Sequence, residues 1–429
     1  MDNCSVNSEG HLTFAGLDTV ELAREYGTPL MVLDEDRVRA VARLYKNAMQ
    51  KHFGQASMPL YASKALSFKG IYRIMKEEGV GSDAVSAGEI FTAHAAGFDV
   101  SKMVFHGNNK TDKDIDYAIS LGVGRFVSDG EEELYAINEI AGRHGVRQKV
   151  QLRIAPGIDP HTHKSISTGR VDSKFGSAIV TGMADRLTEL ALSLPNVELV
   201  GYHCHIGSQI FETEPFITAA ETMIKYISDV KKRYGFAAKE LNLGGGFGVR
   251  YVKEHPYFDY EAAIEEIAGR LMALCAELGT DMPFIFMEPG RSMVAASCLT
   301  LYTVGSVKRI PDIKTYVSVD GGMTDNPRYA LYQSQYEIVV ANKADKKAEL
   351  VCSVAGRCCE SGDLLAENIR LADTEKGDTL AVLVTGAYNY SMASNYNRIP
   401  RPAIVTVKDG RVSVGVKRES FEDLVRNDV

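Results

Sequence analysis

A chain of 429 residues is long enough for two domains, because single hydrophobic cores usually stop growing well before that length. Its make-up, 45% hydrophobic and 24% charged, is that of an ordinary globular protein. A net charge of -8, with no basic run longer than Lys231-Lys232-Arg233, excludes the electrostatic footprint of a nucleic-acid binder and leaves small molecules as the expected partners.

The first twenty residues carry Asp2, Glu9 and Asp18 without a basic or an apolar region, so no secretory signal is expected there. No stretch approaches the roughly 18 consecutive apolar residues of a membrane span. The seven cysteines are odd in number and scattered, which predicts reduced thiols in a cytoplasmic enzyme and not a disulfide framework.

In chain order, Leu12-Thr13-Phe14 reads as a strand, Val20 to Tyr26 as a short helix, and Leu30-Met31-Val32-Leu33 as a second strand. Asp34-Glu35-Asp36 then caps a helix running to about His52. From there short apolar runs alternate with helical patterns. The expected strands are Pro59 to Ala62, Gly81 to Val85, Met103 to His106, Arg125 to Ser128, Lys149 to Ile154, Val197 to His203, Glu240 to Leu243 and Phe284 to Glu288. Helical text fills 68–78, 87–96, 111–121, 131–144, 181–193, 214–234 and 260–278. Eight strands with helices between them predict a closed parallel (β/α)8 barrel over 30–288; an open doubly wound sheet is the rival.

The polar oddities favour the barrel. Lys64, His106, His203 with His205, Gly244 to Gly246 and Glu288 all follow the C-terminal ends of their strands, which share one rim in a barrel and would lie along a line in an open sheet. After Glu288 the text becomes β-type, with runs at Leu299 to Val307, Tyr316 to Val319, Tyr336 to Ala341, Leu350 to Ala355, Leu380 to Val384, Ala403 to Val407 and Val412 to Val416. That predicts a second domain, a β-sandwich or β-barrel, over 289–429. Glu419 to Val429 reads as a short polar helix or a frayed tail.

Lys64 closes the run Met58-Pro59-Leu60-Tyr61, and lysine is rare in buried strands because its charge is costly to desolvate. Either it leaves the core at the strand end and reaches water, or its amine forms a Schiff base with a carbonyl cofactor. Leu243-Gly244-Gly245-Gly246-Phe247-Gly248 matches neither a dinucleotide fingerprint nor a P-loop. It is either a tight inter-element loop or a phosphate cup, since glycines expose backbone N–H groups. His203 and His205 can be read as a zinc pair of a barrel hydrolase or as one ring stacked on a flat cofactor; further metal ligands are not evident, and His161 and His163 fall in a polar loop. Glu288 and Arg291 form a local ion pair or act separately, one on a pyridine nitrogen and one on a carboxylate.

Together Tyr-Ala-Ser-Lys-Ala at Tyr61 to Ala65, His-Ile-Gly-Ser-Gln at His205 to Gln209, the triple glycine, Glu-Pro-Gly-Arg at Glu288 to Arg291, Cys-Glu-Ser-Gly-Asp at Cys359 to Asp363 and Gly-Ala-Tyr at Gly386 to Tyr388 resemble, in order, the fold-type III pyridoxal-phosphate-dependent decarboxylases. The resemblance runs from about Pro29 to Met392. It implies that Lys64 carries pyridoxal 5'-phosphate as a Schiff base, His205 stacks on the ring and Glu288 pairs with the pyridine nitrogen. Ser208, Gly244, Gly245, Gly246, the backbone of Gly290 and Arg291, and Tyr388 would surround the phosphate. Arg291, Arg328 and Tyr332 would grip a distal carboxylate, with Tyr388 beside them and Glu360 on a distal ammonium; Cys359 would protonate Cα.

The branch resembled most acts on meso-2,6-diaminopimelate, giving L-lysine and CO2 as the last step of lysine biosynthesis. The alternatives within the family act on D-ornithine, D-lysine or carboxynorspermidine. A catalytically silent carrier of the cofactor is disfavoured because Lys64, Cys359 and Glu360 are all present. The family also implies a homodimer with sites completed across the interface, a place for residues 1–29 in the β domain, and a proline where this chain has Tyr329.

Overall fold

The computed structural model describes residues 1–158 and 174–429 and divides into two compact units. One comprises Ala40–Val249 and Pro256–Ser292; the other comprises Met1–Arg39, Arg250–His255 and Met293–Val429.

The first unit is built on eight parallel strands: β1 (Ser57–Ala62), β2 (Gly81–Ala84), β3 (Met103–Phe105), β4 (Arg125–Ser128), β5 (Gln148–Ala155), β6 (Val197–His203), β7 (Glu240–Asn242) and β8 (Phe284–Met287). They pair in chain order, and β8 returns to β1 with Ile285 opposite Ser57, so the sheet closes into a barrel. Every strand expected from the alternating apolar runs is present, with ends moved by a residue or two.

Leu60, Val104, Val127 and Phe286 fill the interior with a dry layer. Side chains two apart on a strand share a face. The inward row of β8 therefore runs Phe284, Phe286, Glu288 and that of β3 runs Val104, His106: apolar in the middle, ionisable at the C-terminal ends. Outside, the helix Glu214–Tyr234 buries Phe216, Ile217, Met223, Ile224, Ile227 and Val230. Ser86, Thr111 and Asp259 cap helices by accepting backbone N–H groups, as short oxygen-bearing side chains do at N-termini.

The second unit is centred on a nine-stranded mixed sheet. Its long strand Cys298–Ile310 pairs along its first half with Thr379–Leu383 and with Leu30–Asp34, and along its second half with Lys314–Val319. The early strand Leu30–Asp34 lies between Cys298–Ile310 (antiparallel) and Ala403–Lys408 (parallel). Asp34 then caps the helix Glu35–Phe53 by accepting the Arg37 N–H at 2.9 Å, as its sequence predicts.

Four described strands lie outside the expected set, the short Cys4–Val6, Leu17–Asp18 and Ser177–Ala178 and the longer Leu364–Leu371. In Leu364–Leu371 the alternation is broken by Glu367-Asn368, and Asn368 has a left-handed φ of 53°, so the period-two signal is interrupted where the register shifts against Leu350–Ala355. The C-terminal residues include the helix Phe421–Val425, opened by a Ser420–Asp423 capping box. Among the described residues, no helix is long and apolar enough to cross a membrane.

Candidate active site

Lys64 lies in a single 3-10 turn, Ser63–Ala65, immediately after β1. Ser63 and Ala65 are buried, while Lys64 is exposed. The turn is pinned from below: the Ser63 N–H donates to Asp83 Oδ1 at 3.1 Å, and the Ala62 N–H donates to the Pro289 carbonyl at 3.2 Å. The positive charge of Lys64 reaches Asp83, Glu89 and His205, lowering each of their proton affinities. The turn at Lys64 therefore stands on the same rim as the loops after β2, β6 and β8.

Glu288 follows β8 on its inward row and is buried. Its Oε1 accepts from His106 Nε2 at 2.6 Å and Asn242 Nδ2 at 2.7 Å, and its Oε2 accepts from His203 Nε2 at 3.3 Å. Burial works against ionisation of this carboxyl, but the electrostatic attraction and hydrogen bonds of the His106 and His203 N–H groups hold it well below the ordinary carboxylate range. Burial also lowers His106 and drives His203 down to about 4. At neutral pH the unit is thus an anion held by uncharged N–H donors.

Asp83, on β2, moves the other way. Burial and the neighbouring Glu288 push its carboxyl well above the usual range. Two acids in one barrel mouth are thus driven apart in proton affinity, Glu288 downward and Asp83 upward, which is the pattern expected where acid and base roles are divided.

The loops after β6, β7 and β8 interlock through the triple glycine. A Cβ at Gly245 would sit 2.0 Å from the Glu288 carbonyl oxygen, and one at Gly246, whose φ is +114°, would sit 2.2 Å from that of Gly207. The Glu288 N–H donates to the Gly244 carbonyl at 2.7 Å, and the Gly245 N–H donates to His205 Nδ1 at 3.2 Å. The glycines are thus required by close packing of three loops, whatever else they bind. Arg291 Nη2 donates to Ser208 Oγ at 3.0 Å, joining the loop after β8 to the loop after β6. A Cβ at Gly290 would meet that of Ala62 at 2.7 Å.

His203 and His205 do not act as a pair. His203 turns inward to Glu288 and His205 Nδ1 takes a backbone N–H, because β6 ends at His203 and the i, i+2 strand rule lapses beyond it. Within the barrel mouth the groups close enough to share an ion are instead His106, His203 and Glu288, already joined by hydrogen bonds. His161 and His163 lie outside the described residues.

In the second unit, Arg328 opens the short helix Arg328–Tyr332 and is buried. Its guanidinium donates to the hydroxyls of Tyr251 at 2.8 Å, Ser334 at 3.1 Å and Tyr336 at 3.4 Å; among the described residues it meets no carboxylate. Tyr336 continues to Asn389, and the Tyr388 hydroxyl is close enough to act on the Arg328 charge. Tyr388 itself has a left-handed φ of 62°. Tyr329 lies within this helix and donates its hydroxyl to Glu367 at 3.0 Å. Tyr332 is partly exposed.

Cys359 and Glu360 are exposed on a loop held from behind by Asp363. That buried carboxylate accepts the N–H groups of Met323 at 2.6 Å and Cys358 at 2.7 Å, and Asn397 Oδ1 takes the Cys359 N–H at 2.8 Å. No hydrogen bond among the described residues joins Cys359 or Glu360 to Arg328.

Sequence reasoning singled out His106 without giving it a task and passed over Asn242 and Asp83. Their signal is a polar residue on an inward row near the C-terminal end of its strand, visible once the barrel register is known.

Residues 37–295 match the family described as pyridoxal-dependent decarboxylase, pyridoxal binding domain. The diaminopimelate decarboxylase of Bacillus subtilis (strain 168) is 44% identical over 423 residues, covering 99% of this chain and 96% of its own length. That of Staphylococcus aureus (strain COL) is 41% identical, with 98% of each chain covered. Among solved structures, diaminopimelate decarboxylase from M. jannaschii in co-complex with L-lysine superposes with a TM-score of 0.91 at 33% identity, covering 100% of this chain and 98% of that one. The chain belongs to the pyridoxal-dependent decarboxylases.

Proposed function

We propose that this chain decarboxylates meso-2,6-diaminopimelate to L-lysine and CO2, the last step of lysine biosynthesis, with pyridoxal 5'-phosphate as cofactor. The observation that carries the reading is the barrel mouth, where a reactive-type lysine and a buried, ionised carboxylate share one rim. The residues fit the cofactor on chemical grounds. A carboxylate offers four lone-pair sites, and Glu288 uses three, leaving one on Oε2 for a ring N–H. The Arg291–Ser208 pair and the glycine loop supply a cation, a hydroxyl and backbone for a phosphate.

When bound, the cofactor supplies the sink for the electron pair left on Cα as the carboxylate departs. Lys64 would supply the amine that holds the cofactor's carbonyl carbon. Glu288 would keep a proton on the ring nitrogen, and His205 would stack on the ring face. Ser208, Gly244, Gly245, Gly246, the backbone of Gly290 and Arg291, and Tyr388 would hold the phosphate. Arg291, Arg328 and Tyr332 take the distal carboxylate, Tyr388 supports Arg328, and Glu360 takes the distal ammonium. Cys359 delivers the proton that replaces CO2 on Cα.

The substrate assignment is supported by the hydroxyl-only surroundings of Arg328, a buried cation suited to an incoming carboxylate. An unpaired buried cation costs about 3 to 5 kcal/mol, so a substrate without a distal carboxylate is rejected. The chain works as a homodimer in which Cys359 and Glu360 serve the partner's substrate, and its seven free cysteines suit the reducing cytoplasm.

The test is the absorbance of the protein with pyridoxal phosphate, borohydride trapping, and CO2 release from meso-diaminopimelate with D-lysine and L-ornithine as controls. A label trapped on Lys64 with release from the diacid alone is the expected result. Release only from a control moves the substrate, and no trapped label removes Lys64 from the centre. Arg328→Leu should lower kcat/KM for the diacid by about 10²- to 10³-fold.

A further inference from the structure

The mouth of the barrel contains a device that the reaction above does not by itself require. Glu288 could have been held by a single buried arginine. Instead it is held by three uncharged groups from three different strands, His106 after β3, Asn242 at the end of β7 and His203 at the end of β6.

We propose that His106, His203 and Asn242 are positioning residues that form a neutral-donor cage, fixing Glu288 as an uncompensated anion whose remaining lone pair addresses the cofactor's ring nitrogen. This inference rests on the reading of Glu288 given above and extends it to the residues that hold Glu288; Asn242 also accepts the Gly244 N–H through its Oδ1 at 3.0 Å.

Three observations support the cage. His106 and Asn242 both occupy Oε1 at 2.6 and 2.7 Å, which uses the two lone pairs of that oxygen and turns the open site onto Oε2. His203 Nδ1 is buried with no hydrogen-bond partner among the described residues, so its single proton belongs on Nε2, toward Glu288. The His106 and His203 rings meet edge-on at 4.8 Å, each limiting the rotation of the other.

The physical consequence concerns charge. Hydrogen bonds from neutral donors stabilise a carboxylate without cancelling its charge, whereas an imidazolium or guanidinium would cancel it. The groups facing the cage include Lys64, Asp83, Lys110, Arg153 and Cys204. None of the three cage residues adds positive charge of its own, because burial lowers both imidazoles. The cage itself therefore leaves the Glu288 charge uncancelled; the Arg153 guanidinium acts on it through space, with no hydrogen bond to it among the described residues, and the remaining lone pair stays available for the ring N–H.

The test reads that proton directly. Holoenzyme prepared with cofactor labelled with 15N in the ring should show the shift of a protonated ring nitrogen at neutral pH. His106→Leu should move the shift toward the unprotonated form and lower kcat by about 10- to 100-fold, with KM for the substrate changing far less. His106→Gln, whose side-chain amide restores an uncharged N–H donor, should return both toward wild type. Asn242→Leu, which removes the other donor on Oε1, should move the shift in the same direction.

An unprotonated ring nitrogen in the wild-type protein overturns the proposal even if no variant folds. A His106→Leu protein with unchanged shift and kcat overturns it as well. Failure of the underlying reading is a different result: no label trapped on Lys64 and no CO2. If label is trapped and CO2 released while the cage variants behave as wild type, the cage alone is wrong.

Discussion

Two of the carboxylates that the barrel buries on inward-facing rows, Glu240 and Glu288, lie at opposite ends of its strands and are closed in opposite ways. At the floor, Glu240 opens β7 and is met by a cation. Arg125 Nε reaches both its oxygens, at 2.9 and 2.7 Å, Gln151 Nε2 donates at 2.8 Å, and the guanidinium lies 5.0 Å from the Phe286 ring centroid. At the mouth, Glu288 follows β8 and is met only by uncharged donors. A carboxylate closed by its own cation is spent on holding strands together. One closed by neutral donors keeps its charge for something that arrives later. The contrast follows the general division of such barrels, stability at the N-terminal face and chemistry at the C-terminal one.

The comparison breaks most sharply at Glu288. Replacing it with glutamine keeps a group of the same size but removes the anion, and kcat should fall by about 10³-fold, the scale of losing a preorganised charge from a transition state. Urea unfolding should change little by comparison, since a buried charge is removed with it. A variant as active as wild type would place the useful charge elsewhere.

The same change at the floor should do the reverse. Glu240→Gln strands the Arg125 guanidinium, and breaking a buried pair from one side costs about 4 kcal/mol. Denaturant unfolding should register that loss, while kcat per folded molecule stays at the wild-type value. A loss of kcat without a loss of stability would reverse the assignment of the two ends.

The mouth should also carry a pH signature that the floor lacks. His203 titrates near 4 when folded and near its ordinary value of 6.5 when unfolded. Between those values the unfolded chain binds the extra proton, so stability falls as pH falls from 6.5 to 4, by roughly 3 kcal/mol in all. Asp325, raised to about 7 by burial, has the opposite slope but contributes equally to wild type and variant. The quantity to measure is therefore the difference in unfolding free energy between wild type and His203→Gln across that range. It should close toward low pH, and a constant difference would show that His203 is not buried in its neutral form.

How much of this contrast the sequence discloses depends on what each residue needs in order to be recognised. Lys64, His205, Glu288 and Arg291 stand at strand ends inside short motifs, so type and place together make them visible. The eight strands were legible for the same reason, each being a short apolar run bounded by turn residues. Asn242, Gln151 and Glu240 are different: each is one polar letter in a strand whose neighbours are apolar, and its meaning depends on which residues lie across the barrel. Gln151 and Glu240 are 89 positions apart, and Glu288 and His106 are 182 apart. No local pattern encodes such pairs; closure of the sheet brings them together. Leu364–Leu371 was missed for a more local reason, the left-handed Asn368 that breaks its alternation.

The finest test of the contrast removes the floor network as a whole. In a variant carrying Arg125→Met, Gln151→Leu and Glu240→Leu, no buried charge or amide is left without its partner, and the new side chains extend the apolar layer of Leu60, Val104, Val127 and Phe286. Replacing a complete buried ion network by apolar groups of similar volume is commonly neutral or stabilising, so unfolding should move by only about 1 kcal/mol in either direction. Cofactor trapping and kcat should match wild type, because the changes lie at the far end of the strands from Lys64. The equivalent operation at the mouth must also remove His203: His106→Leu and His203→Leu with Asn242→Leu and Glu288→Leu strands only the Gly244 N–H that Asn242 accepts, and should abolish turnover in a chain that still folds. The two variants would then contrast a carboxylate neutralised inside the chain with one held in reserve for a ligand. If the floor variant also loses turnover while remaining folded, the two ends are coupled through the barrel interior, and the division between a structural and a reserved charge does not hold for this chain.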